Sequence, residues 1–319
     1  MSVLSDRIDP DLRLAFSALD AVDPEQDIAE TRRAHALTVR RAAGHPDPRT
    51  QVFDREVEVS GGHSVRVRVY RPAGSASSGI LPALLWMHGG GFRMGLPETD
   101  EAFCCRVSVD ANCVVASVDY RLAPEHPFPA AMDDCYRVLN WLAARPAGLG
   151  VDARRLAVGG ASAGGGLGAG LALLARDRKG PAIGFQFLKY PCLDDRLETR
   201  SSHEIDDPRL WDREQARRAW RDYLGGLANA VPAYAAPARA ADLRGVPPTY
   251  IYAAELDLLR DEDIEYARRL LDAGVSVELH VAPGTFHGSE GLVPEAAVSQ
   301  RNVDEFVAVI ARALHPNPN

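Results

Sequence analysis

Lysine is almost missing from this chain. Of its 36 basic residues only Lys179 and Lys189 are lysine, so the other 34 are arginine, in a sequence of 319 residues. Chemistry that needs an amine, whether a Schiff base, a pyridoxal site or a Walker-type phosphate loop, has hardly a residue to use. Arginine cannot stand in, because it stays charged and is neither base nor nucleophile. The five cysteines, Cys104, Cys105, Cys113, Cys135 and Cys192, are odd in number and without CxxC spacing, which argues against a zinc or thioredoxin-like site and for reduced residues packed in the core. The histidines show no i, i+3 or i+4 pairing, so neither a metal nor any other cofactor is expected. No stretch approaches the roughly 18 apolar residues of a membrane span, and the opening MSVLSDRIDPDLRLAF holds no apolar run of secretory type. The net charge of −8 is spread along the chain, leaving no basic footprint for nucleic acid or anionic lipid. A cytoplasmic protein with neither nucleic acid nor membrane as partner is expected.

With 46% hydrophobic residues, the chain has ample material for a core. Residues 56–59 and 65–70 (VRVRVY) alternate apolar and polar around Gly61-Gly62, the pattern of a half-exposed antiparallel hairpin. Residues 81–87, 113–118, 155–158, 184–188 and 249–253 are instead short apolar runs, as in parallel strands buried on both faces. An eighth candidate, 275–281 (VSVELHV), alternates again and belongs near an edge. Between the runs, 130–144, 163–177, 261–273 and 296–314 carry helical spacing. The alternation of strand and helix from residue 81 onward predicts an α/β fold: a mostly parallel eight-stranded sheet with helices on both faces, preceded by the hairpin. The N-terminal helical segment and residues 194–240, with Trp211, Trp220 and a basic helix, fall outside the alternation. They are expected to pack together as a helical cap, giving a core of 46–193 and 241–319 under a cap of 1–45 and 194–240.

Three short segments carry chemistry. Gly160-Ala161-Ser162-Ala163-Gly164 is G-x-S-x-G between a strand and a helix, where small flanking residues permit the tight elbow that exposes a nucleophilic serine. His88-Gly89-Gly90-Gly91-Phe92 ends the strand 81–87, and its glycines let backbone N–H groups approach a developing oxyanion. His287, in Gly284-Thr285-Phe286-His287-Gly288, follows the last strand, and Asp257 follows the strand before it. Serine, acid and histidine in that order, on loops after successive strands, form the chain order of one class of Ser-His-Asp triad. Glu255 and Asp261 are rivals of Asp257 for the acid. A dinucleotide fingerprint forced onto Gly164-x-Gly166-x-x-Ala169 begins inside the helix rather than at the turn and is set aside.

Together these segments resemble the hormone-sensitive-lipase-like (bacterial family IV) carboxylesterases of the α/β-hydrolase superfamily. The resemblance runs over residues 50–315 and includes HGGGF at 88–92, DYRLAPEHPFPA at 119–130, the elbow, DLLRDE at 257–262 and the HG pair at 287–288. It implies the α/β-hydrolase fold, with Ser162 as nucleophile, Asp257 as acid and His287 as base. By the same resemblance the N–H groups of Gly90, Gly91 and Ala163 form the oxyanion hole. The segment 119–130 would be a scaffold bracing the glycine loop. Two departures, GASAG where many members have GDSAG and Leu258 where proline is frequent, remove no catalytic atom.

The expected activity is hydrolysis of short- to medium-chain acyl esters through an acyl-enzyme. An amidase, lactonase or sugar-acetyl esterase would use the same residues, and a non-catalytic receptor of this fold is disfavoured because His287 is present. The expected partner is a small-molecule ester. Phe92, Trp211 and Trp220, with Phe16, are candidates for the substrate pocket, whereas the arginines of the basic helix read as solvated surface. Residues 275–281 could pair two copies into a homodimer. Lys189, beside Tyr190-Pro191, is expected to be structural.

Overall fold

Apolar runs too short for helices have become the middle of one sheet. The strands are β1 (Thr50–Glu58), β2 (Ser64–Pro72), β3 (Leu81–Met87), β4 (Val114–Val118), β5 (Val151–Ala161), β6 (Phe185–Lys189), β7 (Thr249–Leu256) and β8 (Val277–Phe286). In this computed structural model residues 3–21, 26–42, 47–59, 62–74, 79–227 and 230–316 are described. The eight-stranded sheet is ordered β1-β2-β4-β3-β5-β6-β7-β8. β2 runs antiparallel to both its neighbours, and the remaining pairs are parallel. Every residue of β3, β4 and β6 is buried, as strands covered on both faces require. β8 ends the sheet, in line with its alternating pattern. Gly61 of the expected hairpin turn lies outside the described residues, but the ladder from Thr50↔Pro72 to Glu58↔Ser64 makes β1 longer than periodicity indicates. The polar pair Asp54 and Arg55 interrupts its alternation, and cross-strand pairing rather than burial extends it.

Helices cover both faces. α5 (Ala130–Ala143), α6 (Ala163–Asp177) and α9 (Arg260–Asp272) lie on one side, where Val138, Leu139, Leu142, Leu167 and Leu171 meet Leu85, Met87 and Val158. On the other, α4 (Glu101–Asp110) and α11 (Ala297–Leu314) pack on Trp86, Phe187 and Tyr250, with Phe306 of α11 edge-on to Phe187 at 5.4 Å. α4 is absent from the sequence-based expectation. Its buried residues Cys104, Cys105, Val107 and Ser108 do follow a helical stripe, but three of these four carry a thiol or hydroxyl, so its apolar signal is weak. All five cysteines are buried and unpaired, and burial pushes the Cys113 thiol up to about 12.

The N-terminal helices α1 (Val3–Arg7), α2 (Arg13–Ser17) and α3 (Ile28–Ala42), together with α7 (Ser201–Glu204) and α8 (Arg213–Leu224), lie outside the sheet layers. Ile8, Leu12 and Phe16 bury against Leu210 from the 194–240 segment and against Leu256, Phe286 and Val293. α8 turns Ala216, Ala219, Trp220, Tyr223 and Leu224 inward. Phe92 stacks on Tyr223 at 3.9 Å, which ties this helix to the glycine loop; such a pair adds about 0.5–1.5 kcal/mol beyond its burial. α8 is capped by Asp212, whose side chain accepts the Gln215 N–H at 2.8 Å and so satisfies one of the free N–H groups of the first turn.

Candidate active site

β5 delivers Ser162 to its C-terminal end, and α6 begins at the next residue. Ser162 sits at φ 56°, ψ −121°, a conformation that L residues seldom adopt and that the surroundings must enforce. They enforce it through the backbone: the Ser162 N–H donates to the Lys189 carbonyl at 2.9 Å, and its own carbonyl accepts from Gly166 and Cys192 N–H, each at 3.0 Å. The elbow also needs glycine behind it, since a Cβ on Gly164 would lie 2.0 Å from the Met87 carbonyl oxygen.

The register of β7 and β8 pairs Leu256 with Phe286, so the residues that follow, Asp257 and His287, emerge side by side. His287 Nδ1 lies 2.6 Å from Asp257 Oδ2, and His287 Nε2 lies 3.0 Å from Ser162 Oγ. With Nδ1–H donating to a carboxylate, Nε2 is left to accept the serine proton. Asp257 is buried, and its second oxygen accepts the Leu259 N–H at 3.1 Å. Its rivals are engaged elsewhere. Glu255 pairs with Arg7 at 2.9 Å and accepts the Gly284 N–H at 2.7 Å, and Asp261 pairs with Arg260 and accepts the Ser201 N–H, both at 2.8 Å.

Gly90 and Gly91 have φ of +120° and +59°. At Gly90 a Cβ would lie 2.2 Å from the Met94 carbonyl oxygen. Among the described residues neither glycine N–H has a hydrogen-bond partner in the protein. Ala163 is the first residue of α6, so its N–H likewise has no intrahelical acceptor. The loop is held from behind. His88 donates Nδ1–H to the Gly89 carbonyl at 2.8 Å and stacks on Tyr120 at 4.2 Å, and the Tyr120 hydroxyl donates to the His88 carbonyl at 2.8 Å. Burial keeps the His88 imidazole below its ordinary pKa. The charges of 119–130 pair with residues outside the segment: Asp119 meets Arg66 at 2.9 Å, Arg121 meets Asp134 at 2.8 Å, and Glu125 meets Arg32 at 2.8 Å.

The aromatic candidates divide. Trp211 lines a cavity of about 90 Å³ together with Ile28, Thr31, Gly90, Gly91 and Met94, and its ring lies 6.3 Å from that of His287. Phe92 and Trp220 do not line it. Both are buried, 5.2 Å apart, in the stack on Tyr223, because the positive φ of Phe92 and the inward stripe of α8 turn them toward the core. Phe16 is likewise buried, against Phe286 at 5.8 Å and under the Arg209 guanidinium at 4.1 Å. A larger cavity of about 590 Å³, lined by Leu4, Arg7, Arg200, Glu204, Ile205, Arg260 and Asp261, touches none of the triad residues. Two neighbours of the triad carried no sequence signal: Cys192, whose Sγ is 3.6 Å from Ser162 Oγ, and Glu290, which pairs with Lys189 at 2.9 Å.

Beside Asp257 the first turn of α9 holds a buried carboxyl pair. Glu262 accepts N–H groups from Leu193 at 2.7 Å and Asp194 at 3.1 Å, whereas both Asp263 oxygens are buried without a partner among the described residues. Burial, then the nearby Glu262 and Asp257 charges, push the Asp263 carboxyl well above its ordinary value. A carboxyl raised in the folded state costs stability as pH climbs past its unfolded value near about 4, up to the folded one. Asp263→Asn is therefore expected to stabilise the protein by roughly 1–3 kcal/mol at pH 8, with the gain shrinking toward pH 4. Thermal melts across that range read the effect, and a lower melting temperature for the variant at pH 8 would refute it.

Residues 84–290 match a family described as the α/β-hydrolase fold. The chain is 37% identical over 316 residues to Carboxylesterase NlhH of Mycobacterium tuberculosis, covering 97% of each. It is 38% identical over 309 residues to Esterase LipI of the same species, covering 97% of this chain and 96% of that one. Among solved structures, a bacterial heroin esterase superposes with a TM-score of 0.91 at 44% identity, covering 97% of this chain and 98% of that one.

Proposed function

We propose that this chain, which belongs to the hormone-sensitive-lipase-like branch of the α/β-hydrolase family and is a carboxylic ester hydrolase, works through an acyl-enzyme on Ser162. The observation that carries this reading is the pair of contacts at His287, 3.0 Å to Ser162 Oγ and 2.6 Å to Asp257. Ser162 Oγ attacks the ester carbonyl as His287 Nε2 takes its proton. The oxygen of the tetrahedral intermediate collects the negative charge and is met by the N–H groups of Gly90, Gly91 and Ala163. His287 then gives its proton to the departing alcohol. Water repeats the sequence on the acyl-enzyme, releasing the acid and restoring Ser162. Asp257 holds the imidazole in the required tautomer and stabilises its cation.

Substrate choice belongs to a cap made of 1–45 and 194–240. In support, the cavity at Gly90 and Gly91 is bounded by Ile28 and Thr31 from the first segment and by Trp211 and Gln215 from the second. The arginines at its mouth have carboxylate neighbours, Arg93 with Asp222 at 2.8 Å and Arg218 with Glu214 at 3.3 Å, which favours uncharged esters. A space of about 90 Å³ suits short to medium acyl chains. Across p-nitrophenyl esters from acetate to palmitate, kcat/KM is expected to fall at the long end. Trp211→Ala should move the optimum to longer chains, since two further buried methylenes are worth on the order of tenfold. An unchanged chain-length profile in the variant would take Trp211 out of the pocket.

β8 closes the sheet with Leu279 exposed, an open edge through which two copies can pair; a monomeric mass in solution would count against this homodimer. A cytoplasmic location is supported by five buried, unpaired cysteines, as expected in a reducing compartment. No helix among the described residues is long and apolar enough to cross a membrane.

A further inference from the structure

One of the two lysines is buried beside the triad. Lys189, the last residue of β6, has its ammonium 2.9 Å from Glu290 Oε1, with the two side chains 7% and 5% exposed. The Tyr190 hydroxyl donates to the same Glu290 oxygen at 2.5 Å. Glu290 belongs to the short helix α10 (Ser289–Leu292), which starts two residues after His287. Burial is the largest single influence and opposes charge on both partners, yet Glu290 together with the nearby Asp100 keeps the Lys189 ammonium above its ordinary value, and Lys189 together with the Tyr190 hydroxyl keeps the Glu290 carboxyl below its own. A buried pair is weak evidence for stability, because apolar residues of similar volume often serve as well. Its position has to supply a further reason.

That position joins the two halves of the catalytic apparatus. The Lys189 carbonyl is the acceptor that holds the Ser162 N–H at 2.9 Å, so the residue that carries the ammonium also sets the strained elbow. Tyr190 N–H donates to the Tyr252 carbonyl at 2.6 Å, which fixes the end of β6 to β7. The Tyr190 ring lies 4.5 Å from the His287 ring, tilted by 49°, on the imidazole that Asp257 grips through Nδ1. Glu290 thus adds a tie between the turn after β8 and the nucleophile side to those made by the His287 hydrogen bonds and the Tyr190 ring. An imidazole must keep Nε2 pointed at the serine, and a displacement of about 1 Å from a reacting geometry can cost 10²-fold in rate.

We propose that Glu290, clamped by Lys189 and Tyr190, is a positioning residue: it fixes the turn carrying His287 against the strand end that shapes the Ser162 elbow. This rests on His287 being the base. A Ser162→Ala variant that kept its turnover would bring down that reading, whereas Glu290 variants with unaltered kcat would bring down the clamp alone.

The test is the split between kcat and KM on p-nitrophenyl acetate, with the protein folded and its active sites titrated. It is joined by the far-downfield proton NMR signal of the His287 Nδ1–H. Glu290→Gln leaves the buried ammonium without its hydrogen-bonded carboxylate, with Asp100 as the remaining nearby charge, so the double variant Lys189→Met, Glu290→Gln, uncharged at both positions, is measured beside it. The clamp predicts that kcat falls by about 10- to 100-fold in both with KM within about threefold, and that the imidazole signal shifts or broadens. A folded double variant with wild-type kcat and an unchanged signal overturns the proposal, however far its melting temperature has dropped. If neither variant folds, Tyr190→Phe decides, since it removes one hydrogen bond and no charge. A severalfold fall in its kcat supports the clamp, and a wild-type kcat overturns it.

Discussion

Replacing Ser162 by alanine is expected to lower kcat on a simple ester by about 10⁶-fold and to leave the fold intact. The two halves of that expectation have separate grounds. Every interaction that shapes the elbow belongs to the Ser162 backbone, namely its N–H on Lys189 and its carbonyl on Gly166 and Cys192. Alanine has the same Cβ, so the positive φ is no more strained than before. Among the described residues the hydroxyl has hydrogen-bond partners only in His287 Nε2 and the Cys192 thiol. Losing it therefore removes the nucleophile and very little else. Cys192 cannot take over, because burial first, then the nearby Glu262, Asp257 and Asp263 charges, hold its thiol well above the ordinary value despite its hydrogen bond with Ser162, and only the thiolate is a strong nucleophile. What turnover remains would come from the oxyanion hole and substrate binding.

The second large effect is at Asp257. Asparagine fits the same space and can keep the Leu259 N–H bond, so Asp257→Asn tests charge and tautomer rather than packing. An amide that presents its NH₂ to His287 Nδ1 forces the proton onto Nε2, where it faces the serine hydroxyl with a donor instead of an acceptor. The expected loss in kcat is about 10⁴-fold. Glu255→Gln and Asp261→Asn are the comparisons that give the result its meaning. Glu255 is engaged by Arg7 and Gly284, and Asp261 by Arg260 and Ser201, so both variants should stay within roughly tenfold of wild type while losing some stability. Steady-state rates at a common pH read all three. A large loss in Glu255→Gln or Asp261→Asn with Asp257→Asn nearly unaffected would move the acid to another residue.

What the sequence could disclose of this site follows from how each part is built. The elbow and the glycine loop require small residues at fixed spacing, because a Cβ on Gly164 or Gly90 would collide with backbone; a steric demand of that kind is written locally. His287 and Asp257 were readable for a different reason, since each directly follows a strand and neighbouring strands bring their ends together. Of the aromatic residues among those described, only Trp211 lines the cavity at the glycine loop. The inward face of Trp220 was in fact legible, since Ala216, Ala219, Trp220 and Tyr223 fall at i, i+3, i+4 and i+7, and a tryptophan on that stripe belongs to the core. Phe92 was not legible, because the direction of its side chain depends on a single positive φ. The pairing of Lys189 with Glu290 has no local signature at all: the two residues lie far apart in the chain and meet only once β6 and the turn after β8 are in place. The helix α4 was hidden by its own chemistry, a buried stripe in which cysteine and serine replace the usual aliphatic residues.

The most direct measurement is kcat/KM on p-nitrophenyl acetate for wild type and Ser162→Ala side by side, with circular dichroism and melting temperature recorded on the same samples. Turnover by the wild type, its loss to near the uncatalysed rate in the variant, and superimposable spectra with closely similar melting temperatures are the predicted results. A folded Ser162→Ala protein that hydrolyses the ester within tenfold of wild type would contradict the assignment of Ser162 as nucleophile, and with it the acyl-enzyme mechanism.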